Sequence, residues 1–374
     1  MSFFLLVLTM KRTMNHLPFL LFALLLSGCV SQQTVLDSRT RKVDVLLSKF
    51  NKPDVPGASV MVIREGKLVF QASYGLAHLE EKRQATPSTN YRLASVTKQF
   101  TAMAVMMLVE RKALSYESTL TDLFPGFPSY GGKIKVRNLL QHTSGLTDYE
   151  DLIPEGTTVP VLDKDVLDLL KQQDSTYFEP GTTYQYSNSG YALLALIVEQ
   201  ASGQTFASFL REHIFSPLRM ENTVAFEKGI STVKNRAYGY TQRDTTDEQS
   251  FELTDQSLTS SVLGDGGIYS SIEDLFQWDQ GLTTNKLVSA SMLAQAFTPN
   301  ILPNGQNSGY GFGWRILVYK GLRAVHHSGS TIGFRTHIAR FPDRQLTVIV
   351  LVNRANVDTE RLAFAIADLW LSPN

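Results

Sequence analysis

The chain has 374 residues, 43% of them apolar, with 35 Lys+Arg against 35 Asp+Glu. That length and apolar share fit one large domain or two interleaved subdomains around a real core. A formal net charge of zero gives no electrostatic reason to expect nucleic-acid binding, and with Cys29 as the one cysteine no disulfide can form within the chain.

The first stretch reads as an export signal. Lys11 and Arg12 precede the apolar run Leu17–Leu26, and Ser27-Gly28 are small. That is a basic region, a short apolar region and a cleavage site, and the run is too short to span a bilayer comfortably. Leu26-Ser27-Gly28-Cys29 resembles the bacterial lipobox, so residues 1–29 are expected to be a lipoprotein signal peptide. Cys29 would carry the lipid, leaving the protein on the periplasmic side of a membrane in the cell envelope. Because the basic pair lies so far in, Met10 or Met14 is the expected translation start. Residues 30–51 read as a tether or helix (Gln32–Asn51), and 52–374 as the catalytic domain.

Ala58–Ile63 and Leu68–Ser73 flank Glu65-Gly66, a hairpin signal. From Ser95 to Arg111, Phe100, Met103, Ala104, Met107 and Leu108 recur at helical spacing, predicting an amphipathic helix that begins at or just before Ser95. Val136–Gln141, Asp163–Gln172 and Phe206–His213 are helical candidates. Tyr191–Ser202 is apolar nearly all round and should be a buried helix. Thr241–Ser260 is polar and aperiodic, an expected loop. Ser270–Gly281 reads as a helix capped by Ser270 or Ser271. Gly309–Val318, Arg323–His327, Thr336–Phe341 and Leu346–Val352 then form a strand meander with a turn at Pro342-Asp343, closed by a helix over Asp358–Leu371. This predicts a mixed α/β fold: an antiparallel sheet built from both chain ends, flanked by helices, with a mostly helical subdomain inserted and the site in the cleft between.

Three stretches carry the chemistry. In Ser95-Val96-Thr97-Lys98, residues three apart share a helix face, so the Lys98 ammonium can reach the Ser95 hydroxyl. A serine needs such a neighbour to act as a nucleophile, and a place in the first helical turn favours its alkoxide. Ser231-Thr232-Val233-Lys234 has the same spacing but lies in a polar connection. In Tyr186-Ser187-Asn188, Tyr186 can exchange a proton with Ser95, and Asn188 can hold a substrate carbonyl or orient Lys98. In His327-Ser328-Gly329-Ser330, the glycine would let substrate backbone approach a strand. The Ser330 N–H could there pair with that of Ser95 as an oxyanion hole. His326-His327 is not read as a metal pair: adjacent strand residues point to opposite faces, and no third ligand is spaced to join them.

Together with Pro56–Phe70, Val136–Tyr149, Gly264–Trp278 and Tyr310–Trp314, these stretches resemble the β-lactamase-related serine hydrolases. That group holds class C β-lactamases, D,D-carboxypeptidases, D-aminopeptidases and esterases on a penicillin-binding-protein-like fold. The resemblance implies Ser95, Lys98 and Tyr186 as catalytic residues, Asn188, His327, Gly329 and Ser330 as substrate-binding ones, and neither metal nor cofactor. His142 with Gly145, and Gly266-Gly267, are then read as turn-forming. The third motif departs from the Lys-Thr-Gly of class C β-lactamases: a histidine is charged only part of the time near neutral pH, which weakens the case for efficient β-lactam hydrolysis. The implied reaction cleaves a small acyl ester or amide, or a peptidoglycan-derived D-amino-acid peptide, through an acyl-Ser95 intermediate. A broad carboxylesterase and a non-catalytic envelope protein that binds peptidoglycan or β-lactams are the alternatives. No protein partner is implied.

Overall fold

A computed structural model describes residues 38–244 and 250–372. Cys29 and the apolar run before it lie outside the described residues, as do residues 32–37 of the expected first helix. Residues 38–46 are helical, and a 3-10 turn follows at Ser48–Phe50.

The predicted hairpin is present as β1 (Ala58–Arg64) and β2 (Lys67–Tyr74). The C-terminal meander supplies β3 (Arg315–Tyr319), β4 (Leu322–Thr331), β5 (Phe334–Phe341) and β6 (Leu346–Val352). The six strands form one sheet in the order β3-β4-β5-β6-β1-β2, antiparallel at every pairing. β1 is joined to β6 with Met61 opposite Ile349 and Val60 opposite Val350, so the sheet is made from both chain ends. All seven residues of β6 are buried. A strand covered on both faces reads as a continuous apolar run, and LTVIVLV is one.

The long segment between β2 and β3 holds most of the helices. They include α1 (Lys98–Glu110), α2 (Asn188–Ser202) and α3 (Ile272–Gly281). α4 (Thr359–Leu371) closes the chain and packs on β5 and β6, while α3 packs on β6 and β1. Their caps are local: Ser271 accepts from Asp274 N and Asp358 from Arg361 N, each satisfying one orphan N–H of a first turn.

Several expectations shift. α1 begins at Lys98, and Ala94–Thr97 is a 3-10 turn. Nor is α1 amphipathic: every residue from Lys98 to Leu108 is buried, because it runs between α2 and the rest of the core. The expected loop over Thr241–Ser260 contains a short hairpin, Tyr240–Gln242 paired with Phe251–Leu253. The helix expected over Phe206–His213 turns into a π-helix at Arg211–Phe215. The strand expected from Gly309 starts at Arg315, because Gly313 (φ 76°) packs against α1; a Cβ there would lie 2.7 Å from the Lys98 carbonyl oxygen. A three-stranded sheet of Tyr91–Arg92, Ile268–Ser270 and Val224–Ala225 has no period-2 signal, since its strands are two or three residues long. Among the described residues, no single helix is long and apolar enough to cross a membrane.

Candidate active site

Ser95 sits half-buried in the 3-10 turn that opens α1. Ala94, just before it, has φ 48°, a left-handed backbone that persists for a non-glycine residue only where its surroundings enforce it. The neighbouring Leu93 is held from two sides. Its N–H donates to the Ile268 carbonyl at 2.8 Å, and its carbonyl accepts from Thr336 Oγ1 at 2.7 Å. Gly329 on β4 lies directly against that carbonyl: a Cβ at position 329 would be 2.0 Å from Leu93 O and 2.2 Å from Thr336 Oγ1. The glycine therefore seats β4 on the Ser95 turn, which replaces the expectation that it admits substrate backbone.

Lys98 is fully buried. Its Nζ donates to Ser95 Oγ at 3.3 Å, to Asn188 Oδ1 at 2.8 Å and to the Asp265 carbonyl at 3.0 Å. Three acceptors are what an ammonium's three N–H groups require. The ammonium also lies 4.9 Å from the centroid of the Tyr186 ring and 5.4 Å from that of Tyr191, within cation–π range. Asn188 opens α2, and its amide is held at both ends, since Nδ2 donates to Glu150 Oε1 at 2.8 Å. The Tyr186 hydroxyl is buried yet has no hydrogen-bond partner.

The N-terminus of α2 is anchored to the loop after residue 141. Ser189 Oγ donates to Thr147 O and accepts from Tyr149 N, and Ser187 N donates to His142 Nδ1 at 3.1 Å. The His142 ring lies 4.3 Å from that of Tyr186. Burial, helped by the Lys98 charge, holds its pKa well below the ordinary value, so the imidazole is neutral. His142 does hold positive φ (56°) at the expected turn, but it also carries the Tyr186 segment. The same is true of Gly264–Gly267. Leu263–Gly266 is one helical turn, and it delivers both the Asp265 carbonyl to Lys98 and a buried carboxyl, which accepts from Tyr149 Oη at 3.1 Å.

β4 forms the facing wall. β3 pairs with it only as far as His326, so His327–Thr331 are paired to β5 alone, leaving an edge to which an extended peptide can add. His327 is turned inward. Nε2 is 2.9 Å from Tyr310 Oη and Nδ1 is 2.7 Å from Ser328 O, which places the proton on Nδ1 and makes Nε2 the acceptor of the phenol. Burial foremost, then the Arg315 and Lys98 charges, push its pKa well below the ordinary value. His327 is thus a neutral residue spent on Tyr310, and the expected partial charge is absent. The cation on this wall is Arg315, whose guanidinium carbon lies 5.4 Å from the Tyr186 ring centroid and 6.0 Å from that of Tyr310. Sequence reading passed over it, one residue beyond the Tyr310–Trp314 stretch. Ser330 is exposed on the open edge.

Of the residues singled out from sequence, the structure gathers Ser95, Lys98, Tyr186 and Asn188 around one ammonium. It sets His327 beside Tyr186, with ring centroids 6.1 Å apart, and seats Gly329 behind the Ser95 turn. Ser231 stands elsewhere, its hydroxyl bonded to Ala225 O and Glu227 N within its own turn.

Residues 43–369 match the family model described as Beta-lactamase. The chain is 35% identical over 316 residues to penicillin-binding protein 4* of Bacillus subtilis (strain 168), an alignment covering 81% of this chain and 69% of that protein. It is 29% identical over 325 residues to a D-aminopeptidase of Brucella canis, covering 85% of this chain and 60% of that protein. Among solved structures, the octameric penicillin-binding protein homologue from Pyrococcus abyssi superposes with a TM-score of 0.75 at 26% identity, covering 91% of this chain and 77% of that one.

Proposed function

Given that the chain belongs to the β-lactamase family, we propose that it is a serine hydrolase that cleaves an amide or ester through an acyl-Ser95 intermediate. The observation that carries this is the single buried ammonium of Lys98 joining Ser95 Oγ and Asn188 Oδ1 beneath the Tyr186 ring. With its three N–H groups committed, Lys98 supplies positive charge and orientation. Tyr186, whose oxygen has no competing partner, acts as the phenolate and takes the Ser95 proton as Oγ attacks the substrate carbonyl carbon. The backbone N–H groups of Ser95 and Ser330 hold the resulting oxyanion. Collapse breaks the bond to the leaving amine or alcohol, which leaves with the proton from Tyr186, and water attacking the acyl carbon restores Ser95.

The relatives named D-aminopeptidase and penicillin-binding protein favour amides of D-amino-acid peptides, including those from peptidoglycan, with β-lactams as acylating analogues. The open edge at His327–Thr331 suits an extended peptide, and Arg315 suits a carboxylate on it. A lipid anchor at Cys29, with the enzyme in the envelope, would bring such peptides within reach. For that anchor, Cys29→Ser should move the protein from the membrane to the soluble fraction; retention in the membrane would refute it.

The activity test is the intact mass of protein treated with a penicillin and, separately, with a fluorophosphonate. Wild type should gain one adduct and Ser95→Ala none. A fluorophosphonate adduct alone would keep the hydrolase and shift the substrate toward simple esters. An adduct that persists in Ser95→Ala would overturn the nucleophile.

A further inference from the structure

We propose that His326, His337 and Glu360 form a binding site for a divalent transition cation of the zinc type, on the face of the sheet opposite Ser95. One ligand atom from each of the three residues lies within 4.8 Å of those of the others. The ligands come from three elements, which is why neighbouring residues in sequence did not reveal them. In the register of β4 and β5, His326 lies opposite Ala339 and Ser328 opposite His337. His326 and His337 are therefore diagonal neighbours on one face, whereas His327 points through the sheet to Tyr310. Glu360 projects from the first turn of α4, which covers that face.

The chemistry of the cluster asks for an electrophile. His326 is 2% exposed and His337 fully buried. His326 Nδ1 and both ring nitrogens of His337 have no hydrogen-bond partner. A buried imidazole with both nitrogens unpaired is rare, because each nitrogen has lost its water without replacement. Neutral imidazole is the form that ligates a metal.

Glu360 Oε2 lies 3.9 Å from His326 Nδ1, too far for a hydrogen bond. A tetrahedral ion with ligand bonds of about 2.0–2.1 Å separates its ligand atoms by roughly 3.3 Å, so the three atoms, all within 4.8 Å of one another, must draw in by no more than about 1.5 Å to bind it. The negative charge of Glu360 offsets Arg315, the cation that bears on both rings. Phe364, one turn along α4, packs edge-on against the two imidazoles at 5.5 and 5.9 Å, which gives the site a dry wall. A surface depression of about 650 Å³ bounded by Glu360, Phe364, Arg335 and Ser328 brings solvent to the Glu360 side of the cluster. Two imidazoles and one carboxylate select zinc, copper, nickel or cobalt over magnesium or calcium. Such an ion would tie β4, β5 and α4 together directly behind the His327–Ser330 wall.

The test is titration of the chelator-treated full-length protein with Co²⁺, followed by Zn²⁺. One Co²⁺ per chain should bind with the visible absorption of a four- or five-coordinate site, Zn²⁺ should displace it, and the thermal midpoint should rise with either ion. Glu360→Gln, a partly exposed change that leaves the core intact, should weaken binding by about tenfold or more, and His337→Gln should abolish the absorption. Should His337→Gln not fold, His326→Gln and Glu360→Gln carry the same readout. Absence of stoichiometric binding by the folded wild type would overturn the proposal, as would equal affinity in folded Glu360→Gln and either histidine variant.

Discussion

Replacing Lys98 by Met keeps the length of the side chain and removes its charge and its three donors. The fold should register two opposed effects. The Asn188 Oδ1 and Asp265 carbonyl acceptors, at 2.8 and 3.0 Å from Nζ, lose their donor in a buried setting, at about 1–3 kcal/mol each. Against this, a fully buried ammonium no longer has to be desolvated, a cost of several kcal/mol. The two nearly cancel, so the variant should stay folded, with a midpoint within about 10 °C of wild type at roughly 2–4 °C per kcal/mol. Chemistry has no such compensation. Ser95 loses the ammonium bonded to its Oγ, and Tyr186 loses the charge 4.9 Å from its ring. The acylation rate should fall by about 10²–10³, the range for a lost donor that stabilises developing charge, or more. The assay is single-turnover labelling by a fluorophosphonate followed by intact mass, beside circular dichroism of the same sample. A folded variant that acylates within tenfold of wild type would refute the role given to Lys98.

Two further outcomes are expected. Arg315→Ala should raise KM for substrates bearing a free carboxylate near the scissile bond and leave their neutral amides unchanged; equal effects on both would remove Arg315 as a carboxylate reader. Asp265 and Asp163 concern pH. Burial pushes Asp265 up to about 6, opposed by the Lys98 charge, and Asp163 up to about 7, opposed by the N–H groups of Leu263 and Gly264. A carboxyl raised in the folded state binds its proton more tightly there than when unfolded. Its stabilising share is therefore complete below about pH 4 and is lost as pH rises through about 6 for Asp265 and about 7 for Asp163. For Asp265 that is on the order of 2–3 kcal/mol. Asp265→Asn should flatten the fall in the unfolding midpoint between pH 4 and 6, and an unchanged pH profile would contradict it.

How legible the molecule was in its residues depended on the range over which each signal acts. The β1–β2 hairpin around Glu65-Gly66, the C-terminal meander and the closing helix follow from periods of 2 and 3.6 and from turn residues, all local. Local spacing also pairs Ser95 with Lys98. Where packing overrides pattern, the reading slipped. α1 lost its expected polar face because it is surrounded, and two- and three-residue strands such as Tyr91–Arg92 carry too few positions to show a period. At Gly329 the local sequence suggests an approach for substrate, because nothing local reveals that Leu93 O occupies the space where its Cβ would be.

The sequence by itself determined the longer helices and strands, the membership that its motifs announce and the reach of Lys98 to Ser95, since these depend on neighbours within a turn or a strand. Only the tertiary structure decided that the Asp265 carbonyl, 167 positions away, completes the Lys98 shell. It also decided that His327 is neutral and bound to Tyr310, that Arg315 is the cation in its place, and that His326 meets His337 and Glu360. Burial and the field of a distant charge arise from long-range packing, and no residue's immediate neighbours encode them.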